Sequence, residues 1–196
     1  MDAELSRLLA ELEHFGREND ESKTQRGERM LNITRDTGEF LRFLVRATGA
    51  RRILEVGTSN GYSTLWLAEA LPAEGATIDT LERSPAKLDL ARANFVRSGL
   101  GTRIRCHLAE AGDFLRWQGD AGFDFIFLDS HRPDYVAWWP DVRRLLLPGG
   151  VLVVDNATSH PHEMAEFTAL VRADPAFTSA LVPVGKGEFV AYKARV

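Results

Sequence analysis

The sequence predicts an α/β protein: a doubly wound, mostly parallel sheet of seven strands, ending in an antiparallel C-terminal hairpin and preceded by N-terminal helices. Three observations predict it. Aliphatic runs such as "VLVV" at 151–154 read as strands buried on both faces. Helix-length patterns separate the first six such runs, as the crossovers of a parallel sheet require. Only "GKG" separates the last two, which is too short for a crossover and calls for a hairpin.

The elements follow in order. Residues 3–16 place Leu5, Leu8, Leu9, Leu12 and Phe15 at helical spacing, so an amphipathic helix opens the chain. The stretch "GRENDESKTQRGER" is charged and almost free of large apolar groups, which marks a mobile linker or lid over 16–29. A second helix over 37–48 carries Phe40, Leu41, Phe43 and Leu44 and is closed by Gly49. Strands are predicted at 52–57, 76–82, 103–109, 123–129, 150–155, 178–184 and 187–194, with helices at 61–71, 85–98, 110–117, 134–147 and 161–173. No repeat, low-complexity block or domain boundary interrupts this series. The expectation is one domain over 1–196, with helices and linker in 1–48 and the α/β core in 49–196.

Composition restricts the function classes. The 196 residues, 44% hydrophobic and 27% charged, suffice for one substantial core and are short for two. A net charge of −4 gives no footprint for wholesale phosphate binding, so bulk nucleic-acid affinity is not expected, although a specific RNA substrate stays open. The single cysteine, Cys106, permits no intrachain disulfide and reads as a core thiol in a strand rather than a nucleophile. The opening "MDAELSRLLAELEHFGREND" lacks the layout of a signal peptide, and no apolar run reaches the ~18 residues of a membrane span. A cytoplasmic location is expected.

In a doubly wound sheet, ligands sit at the carboxyl ends of the strands, near the point where strand order reverses. Here those ends read Glu55-Val56-Gly57, Glu82, Glu110 just past its strand, Asp129 and Asp155-Asn156. Helix capping accounts for one or two such acids and poorly for five. The loop "ILEVGTSNGYST" has Gly57 and Gly61 four apart, matching neither G-x-G-x-x-G nor a P-loop, and Gly57 alone could serve only a strand-to-helix turn. With Glu82 ending the next strand, where an acid commonly accepts from a ribose hydroxyl, the loop suits a nucleoside without phosphates. A cationic group on that ligand would match Glu55, Glu82 and Glu110.

Three segments, "LEVGTSNGYSTLWLAEAL", "TLERSPAKLDLARANFVRSGL" and "FDFIFLDSHRPDYVAWWPDVRRLLLPGGVLVVDN", together resemble the class I S-adenosylmethionine-dependent O-methyltransferases. The similarity is to the small metal-dependent members that include catechol and caffeoyl-CoA O-methyltransferases and a bacterial hydroxyuridine tRNA methyltransferase. It extends from about Arg29 to Lys193. The resemblance implies a Rossmann-like methyltransferase sheet that binds S-adenosyl-L-methionine. Glu55 and Gly57 would then line its methionine part, Glu82 would hold the ribose diol and Glu110 would face the adenine amino group, with Thr58, Ser59, Gly61, Ser63, Arg83 and Ala109 also at the cofactor; Tyr62 reads equally as a cofactor neighbour or as helix packing. Asp129 would border both cofactor and acceptor. It also implies a divalent cation, Mg²⁺ by its oxygen ligands, on Asp129, Asp155 and Asn156. Such an ion would favour the ionised form of an acceptor hydroxyl and aim it at the methyl carbon.

The sequence departs from its relatives in three places. Where many read Asp-x-x-Lys, with the Lys taking the hydroxyl proton, "DSHRPDY" has Arg132, which stays protonated and cannot be a base. Three readings follow: His131 is the base, the metal ionises the hydroxyl unaided, or His131 is structural. After Asn156 the chain runs through "ATSHPHE" straight into a helix, without the insertion common in relatives, and His160 and His162 read as capping or solvent residues. Lys186 stands where relatives commonly show Asp. Of Trp138 and Trp139, one is expected in the core and the other partly exposed.

The expected activity is methyl transfer to a hydroxyl of a small aromatic, catechol-like acceptor by a protein that relatives suggest is a homodimer. One rival is methylation of a hydroxylated tRNA base, for which Arg26, Arg29, Arg51, Arg52, Arg132, Arg143 and Arg144 would need to form a basic face. The other is a non-catalytic cofactor-binding protein.

Overall fold

In the computed structural model, which describes residues 1–195, two helices, α1 (Ala3–Ser22) and α2 (Arg35–Thr48), precede an alternation of strands and helices. This alternation runs β1 (Arg52–Val56), α3 (Tyr62–Ala70), β2 (Thr77–Glu82), α4 (Pro85–Arg97), β3 (Ile104–Leu108), α5 (Ala111–Trp117) and β4 (Phe123–Leu128). It continues through α6 (Tyr135–Leu145), β5 (Leu146–Val154), α7 (Pro161–Ala173), β6 (Phe177–Val182) and β7 (Glu188–Lys193). The strands form one sheet in the order β3-β2-β1-β4-β5-β7-β6. All pairings are parallel except those of β7, which runs antiparallel to both β5 and β6. The predicted doubly wound sheet with its C-terminal hairpin is present, and strand order reverses between β1 and β4.

Burial alternates along the central strands and splits the core into two layers. Ile53, Phe125, Phe127, Val151 and Val153 face a layer closed by α1 to α4, while Leu54, Val56, Ile126, Leu128, Leu152 and Val154 face one closed by α5 to α7. Covering both faces explains why these strands are aliphatic throughout. Cys106 packs half-buried against the first layer, where burial pushes its thiol up, as suits a core thiol and not a nucleophile.

Two boundaries differ from the sequence reading. Helix α1 continues to Ser22, six residues into the stretch expected as linker, because Arg17, Glu18 and Glu21 are good helix formers and Asp20 accepts from the backbone N–H groups of Met30 and Leu31 at 2.6 and 2.9 Å. The chain therefore folds back along the helix. Strand β5 begins at Leu146, before Gly149 and Gly150, since Leu146 pairs with Phe123 ahead of a register shift.

Register places the site. Leu81, Val56, Leu128 and Val154 lie in line across four parallel strands. Glu82, Gly57, Asp129 and Asp155 therefore emerge side by side. Val154 also pairs with Phe189 of antiparallel β7, so Glu188 is delivered to the same edge from the opposite chain direction. Phe127, fully buried in the central strand, tests the core: Phe127→Ala should cost about 3–5 kcal/mol, seen as a lower urea midpoint with an unchanged slope.

Candidate active site

At the β1–α3 turn, Gly57 has φ +112 and a Cβ there would stand 2.0 Å from the carbonyl oxygen of Asp129. The loop crosses β4 at backbone contact, which only glycine permits. Ser59 follows at φ +49, and its N–H donates to Glu82 Oε2 at 2.9 Å while the N–H of Ser84 donates to Oε1 at 2.9 Å. Two backbone donors thus fix the Glu82 carboxylate at the rim, with its remaining lone pairs free for a diol.

A cavity of about 500 Å³ opens here. Gly57, Thr58, Ser59, Tyr62, Ser63, Glu82, Arg83, Ala109, Glu110 and Asp129 all line it. Glu110 makes no cap bond to α5 although it holds the N-cap position, so its carboxylate is left to the cavity. Across the mouth lies the segment 26–33, held down where Ser59 Oγ donates to the Met30 carbonyl at 2.6 Å and Lys87 Nζ to the Arg29 carbonyl at 2.5 Å. Asn60 Nδ2, Tyr62 Oη and Ser130 Oγ are buried atoms of lining residues, without a partner among the described residues. Orphaned groups of this kind fit a polar ligand that would satisfy them.

Glu55 departs from its expected role. It is fully buried and does not line the cavity; its carboxylate accepts from Ser63 Oγ at 2.6 Å, Thr80 Oγ1 at 2.6 Å and Thr64 Oγ1. Burial outweighs those donors and pushes its carboxyl up to about 7. It acts through Ser63, which does face the cavity. Gly61 likewise lies outside the lining, close against Phe95.

At the other end, Asp129 lines the cavity with no hydrogen-bond donor to its carboxylate among the described residues, and burial together with the charge of Asp155 raises it well above the usual carboxylate range. Lys186 and Arg132 oppose that rise. Asp155 is 3% exposed and does not reach the cavity: its two oxygens accept from the N–H of Asn156 at 2.7 Å and from Asn156 Nδ2 at 2.5 Å. Asn156 Oδ1 accepts from Arg132 Nη1 at 3.0 Å, and Arg132 Nε donates to Glu163 Oε2 at 2.8 Å. His131 Nδ1 lies 3.1 Å from Asp134 Oδ2. A carboxylate only accepts, so the pair makes Nδ1 the donor and leaves Nε2 as the basic nitrogen.

The comparisons with known proteins bear on this geometry. The O-methyltransferase family profile matches residues 2–194. The chain belongs to the O-methyltransferase family. It is 36% identical over 138 residues to a catechol O-methyltransferase of Niastella koreensis, covering 69% of this chain but only 62% of that protein's length. Among solved structures, the Bacillus cereus O-methyltransferase in complex with SAH superposes with a TM-score of 0.82 at 29% identity, over 98% of this chain and 91% of the other. TomG of Streptomyces achromogenes, solved with SAM, gives 0.80 at 27% over 99% and 91%.

Several residues in or beside the cavity were not read from the sequence. Met30, Leu31 and Asn32 reach it from the segment before α2, and Trp138 lines it from α6 while Trp139 is in the core. His160 lines it as well, bonded through Nδ1 to Ser159 Oγ at 2.9 Å, whereas His162 stays on the surface. Glu188 is the most consequential omission. It is fully buried, its Oε1 accepts from Thr37 Oγ1 at 2.9 Å, and its Oε2 has no donor and faces the Asp155 carboxylate. Two carboxyl groups share a hydrogen bond only if one keeps its proton, and burial beside Asp155 pushes Glu188 far up so that it is the one.

A pH dependence follows. A carboxyl raised on folding binds its proton more tightly in the native state, so stability is greatest below the unfolded carboxylate range and declines as pH rises from there toward the raised native value. Glu188→Gln keeps the bond from Thr37 and offers Asp155 an amide donor. Thermal unfolding between pH 5 and pH 9 should show the wild type losing stability faster than this variant, with the variant the more stable at pH 8.

Proposed function

We propose that this O-methyltransferase transfers the methyl group of S-adenosyl-L-methionine to a hydroxyl of a small aromatic, catechol-like acceptor. One observation carries the reading: a single cavity has a backbone-fixed carboxylate, Glu82, on one side and the Asp129, His131 and Arg132 cluster on the other. The first group suits a ribose diol and the second a hydroxyl that must lose its proton. S-adenosyl-L-methionine supplies a methyl carbon on a sulfonium, so that the C–O bond forms as the C–S bond breaks and its electron pair returns to sulfur.

The chain's own residues do the rest. His131 Nε2, made the acceptor by the Asp134 contact, takes the hydroxyl proton. Arg132 supplies a fixed positive charge beside the forming oxyanion. Trp138 and Met30 wall the cavity and exclude water from two sides. The transfer is mostly a matter of holding two substrates in attack geometry.

The divalent cation implied by the resemblance does not fit the donors as they are arranged. Asp155 is turned away from the cavity, and the third oxygen, Asn156 Oδ1, already accepts from Arg132. A dication on that oxygen would stand within a few ångströms of a guanidinium that cannot lose its proton, a repulsion of several kcal/mol even at an effective dielectric constant of about 20. No step is assigned to a metal.

The small acceptor is favoured over a tRNA base by the positions of the arginines. Arg51 and Arg52 sit at the amino end of β1, on the opposite edge of the sheet. Arg143 and Arg144 are paired with Asp174, and with Asp120 and Asp141, while Arg132 is buried. Of the seven, only Arg26 and Arg132 line the cavity.

Two measurements test the assignment. Glu82→Ala should weaken S-adenosylhomocysteine binding by about 1.5–3 kcal/mol, the range for hydrogen bonds to charged groups; calorimetry with unchanged affinity would refute the ribose role. His131→Gln should lower kcat by about 10²–10⁴ with little change in cofactor affinity, and full turnover in that variant would remove His131 from the chemistry.

A further inference from the structure

Asn156 decides which cation the acceptor end contains. It sits at φ +69, in the left-handed region that asparagine tolerates, and both its backbone N–H and its Nδ2 donate to Asp155. With the amide group committed to Asp155, Oδ1 points the other way and receives Arg132 Nη1 at 3.0 Å. Glu163 holds the Nε of the same guanidinium at 2.8 Å. Arg132, 3% exposed, is therefore pinned from two sides as a permanent charge in the cavity wall. Lys186 also lines the cavity, from the turn between β6 and β7, and both cations bear on Asp129.

We propose that Arg132 and Lys186 are the resident cations of the acceptor site, that Arg132 contacts the ionising acceptor oxygen, and that methyl transfer proceeds without a divalent ion. The inference rests on the O-methyl-transfer reading and deepens it. The guanidinium fork uses Nε for Glu163 and Nη1 for Asn156, which leaves Nη2 for a ligand oxygen. A charge-assisted bond to that oxygen strengthens as negative charge develops on it, and only such differential stabilisation accelerates the step. Asp129, which receives no donor among the described residues, accepts from a second, vicinal hydroxyl. The acceptor is thus gripped by one guanidinium and one carboxyl oxygen, where a chelating ion would have gripped both oxygens. Atoms balance as before: the hydroxyl proton passes to His131, the O–CH₃ bond forms and the S–CH₃ bond breaks with its pair returning to sulfur.

The test uses the full chain saturated with S-adenosylhomocysteine, with Mn²⁺ as the metal probe and 4-nitrocatechol, whose visible spectrum reports its ionisation, as the acceptor probe. Calorimetry with S-adenosylhomocysteine first confirms that each variant is folded. The wild type should bind no stoichiometric Mn²⁺ by electron paramagnetic resonance, whereas the double variant Arg132→Met with Lys186→Asp should take up about one ion per chain. In EDTA the wild type should bind 4-nitrocatechol in its ionised form, and Arg132→Met should weaken that binding about 10- to 100-fold, the equivalent of one hydrogen bond to a charged group. One Mn²⁺ per wild-type chain, lost on Asp129→Asn, would overturn the proposal. So would a double variant that ignores Mn²⁺ as the wild type does, or 4-nitrocatechol binding that is absent in EDTA and restored by Mg²⁺. A wild type that fails to bind S-adenosylhomocysteine, or that takes up 4-nitrocatechol neither in EDTA nor with Mg²⁺, would instead sink the methyl-transfer reading beneath it.

Discussion

The parallel register of β1, β2, β4 and β5 delivers Glu55, Glu82, Asp129 and Asp155 to one edge of the sheet, and carboxylates crowded into a half-dry volume cannot all stay ionised without compensation. Each is compensated differently. Glu55 collects three hydroxyl donors, Glu82 two backbone N–H groups, and Asp155 both nitrogens of Asn156. Asp129 receives no donor among the described residues, only the nearby charges of Lys186 and Arg132. Glu82 and Asp129 line the cavity, and of these two Asp129 is the one left without a donor among the described residues. This inequality separates the two acids held inside the fold, Glu55 and Asp155, from the two that line the cavity, Glu82 and Asp129.

The same edge depends on contacts from far away in the chain. Because β7 is antiparallel, its first residue arrives where the parallel strands end, so Glu188 lies beside Asp155. Thr37 at the start of α2 satisfies one oxygen of Glu188, and Asp36 accepts from the N–H of Gly185 in the hairpin turn at 3.0 Å. Helix α2, the hairpin and β5 are therefore tied at the carboxyl edge of the sheet, beside the cavity. On the cofactor side, Ser59 and Lys87 hold the carbonyls of Met30 and Arg29 in the same manner. The N-terminal region works as a wall of the cavity as well as a cover for the core.

What was legible in the sequence follows from which forces are local. Strand and helix alternation showed because burial on both faces demands aliphatic runs and crossovers of fixed length. The hairpin showed because three residues admit no alternative. Glu82, Asp129 and Arg132 were visible as charged groups next to strand ends. The helical course of 17–22 was not, since a charged sequence reads equally as linker until Asp20 finds the backbone of Met30 and Leu31. Glu188 was hidden for a related reason: an acid opening a strand looks solvent-exposed, and only the pairing of Val154 with Phe189 shows that it is buried beside Asp155. Glu55 was misplaced because a strand end alone does not reveal three hydroxyls folding over it.

The two departures from the resembled pattern that had no joint explanation in the sequence, Arg132 and Lys186, turn out to bear on one group. Both lower the cost of ionising Asp129. A lysine at position 132 could shed its charge to make room for an ion and take a proton; an arginine can do neither. With a permanent cation there, the proton goes, in the proposed mechanism, to the neighbouring His131, oriented by Asp134; His160 also lines the cavity. On the proposed reading, the substitution at 132 moves two tasks at once, charge stabilisation to the guanidinium and proton removal to the imidazole. Lys186 bears on the same carboxyl, opposing the rise that burial and the charge of Asp155 produce there.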